Sequence, residues 1–222
     1  MAVIEDKWSW EVVAEVLPLL LQGAKTTIAA TVVGFLAALI MGLLLALVRR
    51  VNNNWIQKST GFVIDFIRCT PLLVQAFFIF YVLPEFGIVL GTFAAGITAL
   101  GIHYSSYLSE VFRAGIDNIP KGQWEASRAL NFTRFHTWTR IVLPQAIPPV
   151  IPVLGNYFIT MFKETPFLIA IALPEMLLQA KLYGSAHFRY IEPITMVGVI
   201  FLALSLPSAI FINRLEKKFN RR

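Results

Sequence analysis

The sequence predicts an all-α integral membrane protein. It reads as five transmembrane helices with the N-terminus outside, the C-terminus cytoplasmic, and a helical cytoplasmic segment between spans 3 and 4. Three observations carry this. The first is composition: 57% of the 222 residues are hydrophobic and 14% charged, against about 25% charged in an ordinary soluble domain. The second is a set of long stretches without charge. Thr26–Val48 runs for 23 residues, Phe86–Ser109 for 24, Ile141–Phe162 for 22 and Pro193–Asn213 for 21, each enough for the roughly 20 residues that cross a bilayer core. The third is the placement of Lys and Arg, which concentrate on the cytoplasmic side of membrane proteins.

The elements follow in order. Residues 1–18 form an outer segment, acidic at Glu5, Asp6, Glu11 and Glu15 where a cleavable signal would be basic. Span 1 covers about 20–49 and carries Gly34, Ala38, Gly42 and Ala46 at four-residue spacing. Such a stripe lets another helix approach closely, in this chain or in a second copy. Span 2 needs help: Cys69–Pro84 has only 16 uncharged residues, so the helix is drawn from about 60 to 83 with Asp65 and Arg68 in its first turns. Span 3 covers about 87–113, with Gly91, Ala95 and Ala99 repeating the small-residue device. Spans 4 and 5 cover about 147–172 and 193–215. The whole, 1–222, reads as one domain.

Arg49, Arg50 and Lys58 follow span 1, five basic residues lie between spans 3 and 4, and Arg214, Lys217, Lys218, Arg221 and Arg222 follow span 5. The other side holds Lys7, Lys181 and Arg189 among acidic residues. This bias orients all five spans, and it accounts for the net charge of +6 without a nucleic-acid partner. The single cysteine, Cys69, has no partner for an intrachain disulfide. His103, His136 and His187 are too scattered for a metal site. Gly23-Ala24-Lys25-Thr26 lacks the glycines of a phosphate-binding loop. No internal repeat appears, which argues against carriers built from duplicated halves.

Between spans 3 and 4, over 117–144, the chain turns polar. Ile119-Pro120 ends the extension of span 3. Residues 120–130 then form a short amphipathic helix with Trp124, Arg128 and Asn131 near one face and Ala126, Ala129 and Leu130 near another. Asn131 tolerates the left-handed backbone that ends helices. Thr133 caps a second helix, Arg134 to Leu143, which Pro144 is expected to close. Such a pair suits a groove on a soluble partner.

These residues resemble a known family. Glu125-Ala126, the turn at Asn131, and Ile141-Val142-Leu143-Pro144 are similar to the "EAA" loop of ABC importer permeases. Arg68-Cys69-Thr70-Pro71, Arg113-Ala114-Gly115, Asn156 and Lys163-Glu164-Thr165 extend the likeness collinearly to its polar amino-acid branch. The likeness covers about residues 19–215. Asn131 and Cys69 stand where the family usually has glycine. Ala146–Tyr157 and Phe188–Pro193 look most like the permease subunits of ectoine and hydroxyectoine importers.

The resemblance implies a coupling helix that sits in a cleft of a cytoplasmic ATPase dimer, with Gly122, Trp124, Glu125, Ala126, Arg128, Asn131, Leu143 and Pro144 as coupling residues. It also implies a second permease subunit, identical or not, an extracytoplasmic solute-binding protein, and a bacterial inner membrane location in contact with lipid. The chain would itself carry no cofactor and do no chemistry, ATP and Mg²⁺ being held by the partner.

Ionisable residues inside spans point to function. Lys163 and Glu164 fall mid-span 4, with Asn156, Thr160 and Lys163 on one face. With Arg68 and Gln75 they are the candidate solute path. Alternatively each charge pairs within the bundle, Lys163 with Asp65 or Glu110. His103, Tyr107 and Glu110 share a face of span 3, and Asp65/Arg68 and Arg113/Asp117 have the spacing of local ion pairs. A different class of protein remains open on the sequence: a stand-alone ion- or proton-coupled carrier using Lys163, Glu164 and Glu110 as relays.

Overall fold

The computed structural model describes residues 8–219 and is entirely helical within them. Helix α1 (Trp10–Val48) is 39 residues long, about 58 Å at 1.5 Å per residue, so it overshoots a hydrocarbon core of about 30 Å. It starts ten residues earlier than the expected span because Ser9 caps it, the Oγ accepting from the Val12 N–H. After a short turn come α2 (Asn54–Arg68) and α3 (Leu72–Phe77), the latter running on through irregular turns to Phe86. Helix α4 spans Thr92–Asp117, α5 Lys121–Ala129 and α6 Arg134–Thr137. Helix α7 spans Leu143–Glu164 and tightens over Thr165–Ile171; α8 covers Met176–His187 and α9 Ile191–Phe219.

The expected second span is not one straight helix. The α2 axis and the Leu72–Phe86 stretch meet at 99°. Pro71 has no N–H to donate and pushes Thr70 out of the helical region, while the Thr70 Oγ donates to the Ile67 carbonyl and seals the break. Cys69 lies in ordinary right-handed backbone and is exposed. It therefore needs none of glycine's freedom at this position.

Three helical stretches are long and apolar enough to cross a membrane: Trp10–Val48, Arg134–Ile171 and Ile191–Lys218. A fourth is added if the bent pair is one span. Helix α4, the expected third span, falls outside this set. It is enclosed by α1, α2, α3 and α7, and it buries Ser105, Ser106, Ser109 and His103 beside Leu100 and Leu108. A helix sheathed by protein has no lipid to satisfy, so it tolerates polar side chains that lower its hydropathy.

The α1 stripe is buried against α4 inside the chain, whereas Gly91, at the head of the second stripe, is exposed with nothing within 4 Å of a Cβ there. Gly34, Ala38, Gly42 and Ala46 are all buried in α1. A Cβ on Gly42 would stand 3.0 Å from the Leu108 Cβ and 3.0 Å from the Ser105 carbonyl, and one on Gly101 would stand 3.2 Å from Ala37. The central core formed around this α1–α4 contact includes Leu72, Ala76, Tyr104, Met161 and Leu168. A second core joins α1 to α8 and α9 through Leu20, Met176 and Val197. Helix α8, absent from the expected spans, starts at Glu175, whose buried carboxylate accepts from the N–H groups of Leu177 and Leu178.

The two ends of the bundle are tied differently. At one, Arg49 and Arg50 after α1 meet Glu110 and Asp117 on α4, and Arg113 bridges both carboxylates. At the other, Glu192 accepts from the Ser9 N–H and pairs with Arg189, and Tyr183 donates to Glu15.

Candidate functional site

The polar segment at 117–144 extends from the arginine-tied end. Helix α5 leans on a small core of Ile116, Ile119, Val142 and Ala146, with Trp124 and Trp138 packed edge-to-face at 5.7 Å. Ser127 is buried, and its Oγ donates to the carbonyls of Gln123 and Trp124. Trp124 and Ser127 thus form the inward side of α5. Arg128 and Asn131, expected on the Trp124 side, are exposed, as are Gly122, Glu125, Ala126 and Ala129.

The helix ends in a left-handed turn at Asn131, φ 53°. The Phe132 N–H donates to the Ser127 carbonyl and the Asn131 N–H to the Arg128 carbonyl, each at 3.0 Å. This pair of bonds is the Schellman motif. Thr133 then caps α6, as its spacing predicted, accepting from the His136 N–H. Leu130, Phe132 and Phe135 project outward with Phe135 73% exposed. Sequence reasoning passed over Ser127, Trp138, Phe132 and Phe135. The last two carried a readable signal, being large apolar residues in an otherwise charged stretch.

Pro144 does not close the second helix. Helix runs unbroken from Arg134 to Ile171. Over Trp138–Val142 the turns widen, and the Leu143 N–H reaches back five residues to the Trp138 carbonyl. A widened turn of this kind relieves the clash a proline ring makes with the preceding turn, so Pro144 continues the helix, and Leu143 and Pro144 both lie exposed on it. Residues 134–144 of the polar segment and α7 are therefore one continuous helix.

The six solute-path candidates do not converge. Arg68 lies over the Tyr107 ring at 5.3 Å and lines a cavity of about 290 Å³ with Tyr107, Glu110, Asn118 and Tyr157. Among the described residues no ion pair joins it to Asp65, contrary to its spacing, whereas Arg113 and Asp117 do pair, at 3.0 Å. Glu164 is half-buried and accepts from the Tyr104 hydroxyl at 2.7 Å. Tyr104, Tyr107, Tyr157 and His103 form an aromatic cluster around this region, so His103 and Tyr107 do share a face. Gln75 is a staple: its amide donates to the Ile67 and Thr70 carbonyls and the Thr70 hydroxyl across the bend.

Asn156, Thr160 and Lys163 do share one face, and it points away from the bundle with all three exposed. The expected partner Glu110 is taken by Arg49 and Arg113. Asp65 stands across the arginine-tied end beside Arg50 and Lys58. Neither serves Lys163, because α7 turns this face outward.

The chain is similar to known proteins along most of its length. The family described as binding-protein-dependent transport system inner membrane component matches residues 34–221. The chain is 42% identical over 207 residues to the probable amino-acid ABC transporter permease protein y4tG of Sinorhizobium fredii, covering 93% of this chain and 90% of that one. It is 32% identical to the glutamine transport system permease protein GlnP of Escherichia coli, over 96% and 98% of the two chains. It is 34% identical to the L-cystine transport system permease protein TcyB of Bacillus subtilis, over 94% and 92%. A crystal structure of an amino acid ABC transporter with histidines superposes with a TM-score of 0.89 at 32% identity, over 96% of this chain and 99% of that one.

Proposed function

Because the chain belongs to the family of binding-protein-dependent transport system inner membrane components, we propose that residues 117–144 couple it to a cytoplasmic ATPase. The chain is a multi-pass inner-membrane permease subunit of an amino-acid ABC importer, and the ATPase is a separate subunit that works with it and a partner permease. It carries no cofactor of its own.

The observation that best supports the coupling role is the build of α5. Its inner side is locked by Ser127 and Trp124, and its outer side offers Gly122, Glu125, Ala126, Arg128 and Leu130. Force applied there passes through the Trp124–Trp138 contact into a helix continuous to Ile171. Orientation follows from charge: five spans with α4 as the third, N-terminus outside, and the arginine-tied end cytoplasmic. An extracytoplasmic binding protein delivers the solute on the opposite side. A stand-alone carrier would have no use for such a projection.

The solute we infer is a polar amino acid. The relatives named above are permeases for amino acids, glutamine and cystine; the finer reading, ectoine or hydroxyectoine, rests only on the segments quoted from the sequence. The path runs along Arg68 and Glu164 and the outward stripe of Asn156, Thr160 and Lys163. A polar stripe facing out of one chain within the membrane calls for a second subunit or water to meet it.

The test is to replace Glu125 with Arg, or Ala126 with Trp, and purify the permease from membranes. The protein should insert normally but lose co-purification with its ATPase and ATP-driven uptake. Normal co-purification and uptake in both variants would overturn the coupling role. Uptake on an ion gradient with no ATPase present would reinstate the carrier reading. Binding of amino acids against ectoine by the cognate binding protein decides the solute.

A further inference from the structure

At the arginine-tied end, Arg49 and Arg50 after α1 line, together with α2 and α4, an open cavity of about 710 Å³ that touches the coupling segment only at Asp117 and contains none of the solute-path candidates. Its cations are Arg49, Arg50, Lys58 and Arg113, and its carboxylates are Asp65 and Asp117, with Glu110 adjoining through Arg49. Four cations against three carboxylates leave one positive charge. The three arginines share Glu110 and Asp117, so each guanidinium keeps N–H groups free of carboxylate. Lys58 is exposed and has no carboxylate partner among the described residues. Guanidinium groups with spare donors favour phosphate.

Helix α2 adds a second observation. Its inner side, Gln57, Lys58, Gly61 and Asp65, faces the cavity. Its outer side presents Trp55, Phe62 and Phe66 at helical spacing, 83%, 71% and 62% exposed. Exposed aromatics beside a cationic face are the pattern of a helix lying at the membrane–water boundary, where Trp concentrates. Phe62 belongs to both surfaces, so a ligand with an anionic head and an apolar tail would lie across it. The cavity also sits where the charge-free stretch of α1 ends, at Arg49.

We propose that this cavity binds the phosphodiester headgroup of an anionic glycerophospholipid of the cytoplasmic leaflet. The headgroup's single negative charge balances the cavity's surplus, Arg50 and Lys58 hold the phosphate, and the acyl chains lie on Phe62 and Phe66. The site depends on the orientation given above but not on the solute or on ATPase docking. Its test therefore reads lipid rather than transport.

The complex of permease and ATPase, stripped of lipid, is titrated with phosphatidylglycerol or phosphatidylcholine, and bound lipid is counted by native mass spectrometry. The wild type should retain phosphatidylglycerol over phosphatidylcholine. Lys58→Gln should weaken that retention about fivefold, as expected for loss of one membrane-proximal basic residue. Gly61→Phe changes no charge and fills the space beside the Arg49 guanidinium, which stands 3.4 Å from a Cβ at this position. It should weaken retention similarly. Equal retention of both lipids, or unchanged retention in both variants, overturns the site. Competition by soluble glycerol 3-phosphate as strong as that by phosphatidylglycerol overturns the lipid and leaves a site for free phosphate.

Discussion

Asn131 shows how one residue holds a working surface in place. Its left-handed backbone lets two N–H groups return to the end of α5, which aims Phe132 and caps the helix at once. A side chain branched at Cβ is strained there by about 1–2 kcal/mol, whereas glycine is not. Asn131→Val should therefore lower both the thermal unfolding midpoint of the purified complex and its ATPase affinity. Asn131→Gly should match or exceed the wild type in both. If Val and Gly behave alike, the turn does not position the segment. Gly122 gives the opposite case: nothing stands within 4 Å of a Cβ there, so the surface beside it is open.

Between elements, the contact of α1 with α4 sets the geometry. Gly42 brings the two backbones together, and an added Cβ would press on the Ser105 carbonyl and the Ser109 N–H at 3.0 and 3.2 Å. Backbone atoms inside two packed helices cannot step aside. Gly42→Leu should cost at least the ~1–3 kcal/mol typical of overpacking, read as reduced membrane yield and a lower unfolding midpoint. Wild-type yield and midpoint would mean that α1 and α4 are not held this closely. The Pro144 region illustrates the same scale. A proline that stops an isolated helix is carried here by a widened turn, so the helix runs on from Arg134 through α7 as one piece.

For the whole molecule, the outward polar stripe and the part-buried Glu164–Tyr104 bond set apart two charges that the sequence places side by side. Lys163→Leu should fold normally, since Lys163 is exposed, but should lower ATP-driven uptake in proteoliposomes on the order of tenfold. That is the scale of losing one hydrogen bond to a charged group, ~1.5–3 kcal/mol. Glu164→Gln keeps an acceptor for Tyr104 and should spare folding while impairing uptake. Wild-type uptake in both variants would remove both residues from the path.

The sequence by itself determined the membrane class, the polar segment and its cap at Thr133, the left-handed turn at Asn131, and the Arg113–Asp117 pair. All of these are local: they depend on composition, on residues within one turn of each other, or on backbone preference. Only the tertiary structure decided that the glycine stripe of α1 closes on α4 inside the chain, that Arg49 and Arg113 claim Glu110, and that Lys163 faces outward. It also decided that span 2 bends by 99° at Thr70-Pro71 and that α4 is sheathed by protein. Helical periodicity tells which residues share a face, but not what that face meets. The neighbour is chosen by close packing and by competition for carboxylates between helices far apart in the chain.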